Sequence, residues 1–312
     1  MAYHHIPAMP AEVMAMLDCK PGKIMVDCTL GGSGHARLIC EKICPGGTFI
    51  GIDQDKDAIE NAKTRLLPFA DRVHLFHGNF SSLGVFLSEL NIDMVDGALV
   101  DLGVSLHQLS AGGRGFSFRA DEPLDMRMDT RSDLTAETLL NTGTAGELEH
   151  IFRTYGEERW AKRIATHIIR YRDQNPLKTS RQLADLIITA IPKKAAAKQK
   201  IHPATRVFMS LRIAVNKELD VLEHFLDSIL DHLKPAGRLC VLAFHSLEDR
   251  IVKKRFESWR KPCTCPPDFP RCVCGKIPLI KNLTPKVLRP GLAEIEKNPM
   301  ARSTRLRAIE KL

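Results

Sequence analysis

Short apolar runs bounded by glycine and proline alternate with amphipathic stretches through the first hundred or so residues. Lys23–Leu30 (KIMVDCTL) sits between Pro21-Gly22 and Gly31-Gly32 and predicts a short buried strand. Residues 34–43 predict a helix, Pro45-Gly46-Gly47 a turn, and Thr48–Asp53 (TFIGID) a second strand. Asp57–Leu67 predicts a helix capped by Asp55 or Asp57. Val73–His77 follows as a third strand, Ser81–Leu90 as a helix and Met94–Leu102 (MVDGALVDL) as a fourth strand. Strands alternating with helices in this way indicate βαβ units and a parallel sheet.

After Gly103 the pattern changes. No strand of comparable quality is expected between residues 107 and 201, where a polar, charged stretch leads into helical segments near 144–154, 157–173 and 180–190. Ala204–Leu233 then predicts one long helix, with an apolar stripe at Val207, Leu211, Val215, Leu219, Leu222, Leu226 and Leu230. Pro235-Ala236-Gly237 ends it, and Arg238–Phe244 (RLCVLAF) is a fifth strand. The expected class is α/β: a Rossmann-like sheet domain in two parts, 1–106 and 202–312, interrupted by a mostly helical insertion at 107–201. Insertions above the carboxyl ends of parallel strands commonly form substrate caps.

Composition narrows the partners only slightly. Lys and Arg number 45 against 37 Asp and Glu, a net charge of +8, which permits a polyanion such as nucleic acid without demanding one. With 44% hydrophobic and 26% charged residues the chain is of ordinary globular composition. No apolar run approaches the ~18 residues of a membrane span. The first residues lack the basic and apolar regions of a secretory signal, so a cytoplasmic protein is expected. Nine cysteines, an odd count without export, argue against a disulfide framework. Five are scattered (Cys19, Cys28, Cys40, Cys44, Cys240) and read as small hydrophobes. Cys263, Cys265, Cys272 and Cys274 crowd a proline-rich loop at 262–275 as C-x-C-x6-C-x-C. Four thiolates could enclose a structural zinc ion, although the spacing is not the usual C-x2-C; reduced surface thiols and a regulatory disulfide are the other readings.

The candidate chemistry lies at the strand ends. The first strand runs into DCTLGGSGH (27–35), whose glycines allow a sharp turn and close approach to a ligand. The second strand ends on Asp53, an acid placed to accept hydrogen bonds from ribose hydroxyls. Gly32 and Gly34 supply two glycines of a dinucleotide fingerprint, but Arg37 stands where the third belongs, and no Walker A motif occurs. A nucleoside cofactor without phosphate, S-adenosylmethionine, suits this loop, with Asp27 facing the methionine ammonium. An α/β domain with merely capped turns remains the alternative.

A series of motifs occurs in order: DCTLGGSGH (27–35), GIDQD (51–55), HGNFSSL (77–83), DLGVSLHQL (101–109), RGFSFR (114–119), PLDMRMD (123–129), YGEERWAKRIA (155–165), HPATRVFMSLRIAVNKEL (202–219), FHSLEDRIVKKRF (244–256) and NPMARSTRLR (298–307). In these, from about His4 to Arg307, the chain resembles the RsmH (MraW) family of bacterial 16S ribosomal RNA cytosine-N4 methyltransferases. The resemblance implies an S-adenosyl-L-methionine-dependent methyltransferase sheet, a substrate-recognition role for the insertion, and methylation of a decoding-centre cytidine in the small subunit. No membrane partner is expected, given the lack of a long apolar run, and monomer or homodimer is left open. Carried over by position, Ser33, Gly34 and His35 line the methionine end of the cofactor, Asp53 its ribose and Phe80 its adenine. Asp101 and Gln108 flank the adenine and the pocket mouth. The loop is commonly G-G-G-H or G-R-G-G-H in such proteins and here reads G-G-S-G-H, and Leu106-His107 replaces the frequent Ser-Pro. Binding is expected to survive the serine.

Asp101 also occupies the place of the D-P-P-Y-type loop of DNA amine methyltransferases, which makes it a candidate catalytic acceptor beside the amine. His245, with Ser246 and Asp249, follows the fifth strand on the same edge and is a second catalytic candidate; the alternative is a helix cap. Arg206 and Arg212, with Arg250, Lys253, Lys254 and Arg255, are candidates for holding RNA, as are Arg159, Lys162 and Arg163; a solvated helix face is the bland reading of each. Phe116, Phe118, Tyr155 and Trp160 could stack on a base or pack a core. Some members of the family lack the crowded cysteines, which counts against a catalytic role for them. Two further readings stay open: an RNA-binding assembly factor without turnover, and a zinc-dependent nucleic-acid module.

Overall fold

The computed structural model describes residues 6–110, 113–199, 201–266, 271 and 273–312. Contacts divide the chain into two units, Met1–Gly103 with Leu219–Leu312, and Val104–Glu218.

The first unit carries a seven-stranded sheet of β1 (Ile24–Asp27), β2 (Thr48–Asp53), β3 (Val73–His77), β4 (Val95–Asp101), β5 (Leu233–Ala243), β6 (Ile280–Asn282) and β7 (Arg305–Lys311), in the order β3-β2-β1-β4-β5-β7-β6. The first five are parallel, and β7 runs antiparallel to both neighbours. The strand order reverses between β1 and β4, so the switch point of this open sheet lies at their carboxyl ends, where such sheets bind ligands. Successive side chains go to opposite faces. Met25, Phe49, Leu99, Cys240 and Leu242 pack under α1 (Pro10–Leu17), α2 (Gly34–Ile43) and α3 (Lys56–Arg65). Val26, Ile50, Val100 and Val241 pack on the other face with α4 (Leu83–Glu89), α12 (Glu218–His232) and α13 (Ser246–Arg260). Both faces being covered, the central strands read as unbroken apolar runs.

The second unit is helical: α5 (Leu106–Ser110), α6 (Ala136–Thr142), α7 (Ala145–Thr154), α8 (Ala161–Arg172), α9 (Ser180–Ala190), α10 (Lys193–Ala196) and α11 (Thr205–Asn216). Capping boxes at Thr144/Glu147 and Thr179/Gln182 start α7 and α9. Leu140, Phe152, Ile164, Leu183, Val207 and Leu211 belong to its own core. Its motifs hold it together. The Asn216 amide donates to the Met126 carbonyl at 2.8 Å, and its Oδ1 accepts the Met128 N–H at 2.7 Å. Arg114 reaches the carbonyls of Arg127 and Met128, both at 3.2 Å.

Several expectations are corrected. The long helix foreseen over 204–233 is two, α11 and α12, because Lys217 takes a left-handed φ of 50° at the junction. Its single apolar stripe serves two cores: Val207, Leu211 and Val215 the helical one, Leu222 and Leu226 the sheet. The helical unit therefore runs past residue 201 to Glu218. Pro235-Ala236-Gly237 does not end a helix; it forms an irregularity inside β5, where pairing jumps from Val95–Leu233 to Gly97–Arg238 and Ala236 adopts a φ of 61°. Strands β6 and β7 were not foreseen, nor was α14 (Leu292–Lys297) before β7.

Candidate functional site

The turn after β1 is bonded to both neighbouring strands. The Cys28 N–H donates to the Leu99 carbonyl at 2.9 Å, and the Leu30 N–H to the Ile52 carbonyl at 3.2 Å. The Asp101 N–H, at the end of β4, donates to Thr29 Oγ1 at 2.6 Å, and the Gly31 N–H, at φ 43°, donates to Asp53 Oδ2 at 2.9 Å. Ser33 caps α2 in the left-handed region (φ 59°), a conformation that glycine adopts freely. Its buried Oγ accepts the Asn61 amide at 3.3 Å. A Cβ on Gly34 would meet the Pro7 ring at 2.9–3.2 Å, so this close approach requires glycine.

Three carboxylates end three adjacent strands: Asp53 of β2, Asp27 of β1 and Asp101 of β4. Burial raises all three above the usual carboxylate range. Asp27, 1% exposed, is held well above it, with the charges of Asp101 and Asp53 adding to the effect of burial against a bond from the Thr29 N–H. Asp53 is pushed up to about 6 by burial, against bonds from the backbone N–H groups of Asp55 and Gly31. Asp101 is pushed up to about 7 by burial and then by the charge of Glu248. Its Oδ2 stands 3.8 Å from Nε2 of buried His35, the second residue of α2. Its Oδ1 is buried with no hydrogen-bond partner among the described residues. Phe80 follows β3, 7% exposed, and lies edge-on to Phe225 at 5.3 Å within the sheet core.

At the end of β5, His245 is the N-cap of α13. Its Nδ1 accepts the Glu248 N–H at 3.5 Å, while Glu248 Oε2 accepts the N–H groups of Phe244 (2.8 Å) and His245 (3.2 Å). His245 Nε2 lies 3.0 Å from Glu248 Oε1. The ring thus has the capping role. Asp249 is turned away to β7, its carboxylate 2.7 Å from Arg307 Nε and 3.7 Å from Arg305. No Ser-His-Asp arrangement is formed by these three.

Gln108 belongs to the helical unit, where it caps α5: its Oε1 accepts the Ser105 N–H at 2.8 Å, and its N–H donates to Ser105 Oγ at 3.3 Å. Phe118 stacks on His202 at 4.4 Å and meets Phe208 edge-on at 5.1 Å; Phe116, Tyr155 and Trp160 also pack with the helical core. The basic candidates separate. Arg212 is 14% exposed and bidentate to Glu218, both bonds at 2.8 Å, so it is committed within the fold. Arg206 is exposed and donates to the Glu157 carbonyl at 3.0 Å. Arg159, Lys162 and Arg163 are exposed, Arg159 over the Trp160 ring. On α13, Arg250, Lys253 and Lys254 are exposed, while Arg255 pairs with Asp227 at 2.5 Å. The Sγ atoms of Cys263, Cys265 and Cys274 converge within 4.8 Å of one another; Cys272 lies outside the described residues. Of the scattered five, Cys28, Cys40 and Cys240 are buried and Cys19 and Cys44 half-buried.

Two contributors went unforeseen. Thr29 latches β4 to the β1 turn through its side chain, and buried Glu248 both closes the α13 cap and helps raise Asp101. In the sequence Ser246, with Glu248 or Asp249, reads as a cap of a helix over 247–258; the cap is His245 with Glu248 at the third position, and only the fold brings that acid to bear on β4.

The sequence profile of the MraW methylase family matches residues 2–312. The chain is 52% identical over 312 residues to "Ribosomal RNA small subunit methyltransferase H" of Desulfosudis oleivorans, covering 100% of both chains. It is 53% identical over 307 residues to the protein of that name from Desulforapulum autotrophicum, with 98% of each covered. With the one from Geobacter sulfurreducens it shares 51% over 312 residues, 100% of each.

Proposed function

The chain belongs to the MraW methylase family, and on that premise we propose that it transfers the methyl group of S-adenosyl-L-methionine to the exocyclic N4 amine of a decoding-centre cytidine in the 16S ribosomal RNA of the small subunit, in the cytoplasm. The observation that carries this reading is the trio Asp27, Asp53 and Asp101 at the carboxyl ends of three adjacent parallel strands, at the switch point and around a glycine turn.

The trio fits the cofactor by charge. Three clustered carboxylates disfavour a pyrophosphate and favour a ligand that brings an ammonium and a sulfonium, whose charge offsets their mutual repulsion. Each oxygen of Asp53 already accepts one backbone N–H, which leaves lone pairs for the two ribose hydroxyls. Asp27 is the partner for the ammonium, and the turn at Ser33, Gly34 and His35 lines the methionine end. Phe80 and Gln108 are assigned to the adenine side.

When bound, the cofactor supplies an electrophilic methyl group. The chain's residues must hold the cytosine amine in line with it, since positioning alone can supply much of the acceleration. The amine lone pair is delocalised into the ring, so an acceptor at the amine hydrogen aids pyramidal nitrogen. Asp101 Oδ1 is buried and unbonded, and a carboxyl at about 7 is matched to taking a proton near neutrality. Asp101 is the proposed proton acceptor; His245 serves by holding the start of α13 and the Glu248 carboxylate near it. Exposed Arg206, Arg250, Lys253 and Lys254 are proposed to hold the RNA backbone, and the target base must be presented unstacked.

The test is direct. Purified protein, labelled S-adenosylmethionine and undermethylated small subunits are incubated, and the RNA is digested to nucleosides. Labelled N4-methylcytidine is expected, with kcat reduced about 100-fold or more in Asp101→Asn if a general base is lost. Label in another nucleoside, or none with any subunit or RNA substrate, rejects the reading.

A further inference from the structure

We propose that Cys263, Cys265 and Cys274 are ligands of a structural zinc ion that orders the connection between α13 and β6. Their Sγ atoms all lie within 4.8 Å of one another, and those of Cys263 and Cys274 are 3.7 Å apart. Zinc–sulfur bonds of about 2.3 Å in a tetrahedron put neighbouring sulfurs about 3.8 Å apart. A disulfide requires about 2.05 Å. The separation of these two sulfurs, a contact that the Cys274 thiol can make by donating to Cys263 Sγ, excludes a bonded pair and matches the spacing of two ligands on one metal. Cys272 lies outside the described residues, and the proposal stands on the three thiols alone.

A second feature points the same way. The Val273 N–H donates to Cys265 Sγ at 3.4 Å. Backbone amides turned toward sulfur favour the thiolate, the form that binds metal. In the sequence, Lys261, Arg271 and Lys276 flank the cluster, and their positive charge offsets that of several thiolates around one divalent ion.

The connection has mostly exposed large apolar side chains among its described residues. It leaves α13 at Arg260 and reaches β6 at Ile280, held at the far end by the Leu279 N–H on the Trp259 carbonyl at 2.9 Å. Between them Val273 and Ile277 are each 73% exposed. Proline restricts Pro262 and Pro266 but does not join the strands of the loop. Side chains this exposed contribute little burial, and thiolate–metal bonds can supply order in small loops. Soft thiolates select zinc over oxygen-seeking cations. The proposal uses none of the strand-end carboxylates described above, so its failure leaves the methyl-transfer reading intact.

The experiment uses the full chain without an affinity tag, purified without chelator. Mass spectrometry of the metal content is expected to give about one zinc per chain. The Cys263→Ser/Cys265→Ser/Cys274→Ser variant is expected to give none. Replacing zinc by cobalt is expected to produce the strong visible bands of tetrahedral cobalt and a sulfur-to-cobalt charge-transfer band. If the triple variant fails to fold, Cys265→Ser alone answers the question, with a weakened charge-transfer band. Wild-type protein that neither contains zinc nor takes up an equivalent of zinc or cobalt overturns the proposal, as does zinc retained by the folded triple variant or a cobalt spectrum without sulfur bands.

Discussion

Asp53 Oδ2 accepts the Gly31 N–H at 2.9 Å, across from one strand end to the neighbouring turn, while Oδ1 accepts the N–H of Asp55. One side chain thus fixes the glycine turn and offers its remaining lone pairs outward. Asp53→Ala removes both roles. Calorimetry with S-adenosylmethionine is expected to show affinity lowered about 100-fold or more, from two lost charge-assisted bonds of roughly 1.5–3 kcal/mol each. Unchanged affinity contradicts the ribose assignment.

Asp101 carries a pH signature. Its carboxyl stands raised from 3.8 to about 7 by burial and by Glu248. The folded state therefore prefers the protonated form. The stability this group contributes is complete below the unfolded value and is lost as pH rises toward 7. Asp101→Asn keeps the shape without the charge. Urea denaturation of the cofactor-free protein is expected to find the variant more stable than wild type at pH 8, by on the order of 1–3 kcal/mol, with the gap shrinking toward pH 5. A gap constant with pH would refute the buried charge.

Thr29 acts through Asp101. Thr29→Val keeps the shape and deletes the acceptor of the Asp101 N–H, a half-buried bond at 2.6 Å. The expected cost is about 1–3 kcal/mol of stability. Methyl transfer should fall through kcat more than through the KM for RNA, because the Asp101 carboxylate loses its fixed position. A change confined to KM for RNA would place Thr29 elsewhere in the reaction.

The basic residues divide into two groups with opposite phenotypes. Arg212→Ala leaves the half-buried Glu218 without its bidentate partner and is expected to lower stability by about 1–3 kcal/mol. Lys253→Ala/Lys254→Ala alters exposed positions, so thermal melting should be unchanged. RNA affinity should drop, and the slope of log K against log salt should fall by about 1–2. Filter binding over a salt series separates the two.

The strands were legible where burial on both faces makes an unbroken apolar run between glycine and proline. Thr48–Asp53 and Val73–His77 coincide with β2 and β3. The edge was illegible. β7 alternates apolar Leu306 and Ala308 with Arg305 and Arg307, which pair with Asp249, and β6 is three residues long. The division at Lys217 was hidden because neither glycine nor proline marks it and the apolar stripe runs through it. Of the site, Asp27, Asp53 and Asp101 declared themselves by ending strands. Thr29 and Glu248 did not, because their partners lie on strands and helices distant in sequence. The charges on α13 and α11 looked alike in sequence; only contact geometry tells Arg212 and Arg255 from Lys253 and Lys254.

The interrupted order of the sheet has a consequence for the chain as it emerges from the ribosome. β4 is made with its inner edge bare, and its partner β5 appears only after the whole helical unit has been synthesised. Until then the apolar Val95–Asp101 strand is an open template for pairing with another chain. The helical unit has its own core and can form during that interval. Slowing translation within residues 104–218 therefore lengthens the exposure of β4 and should raise aggregation of the nascent protein, while slowing it after β5 should do so less.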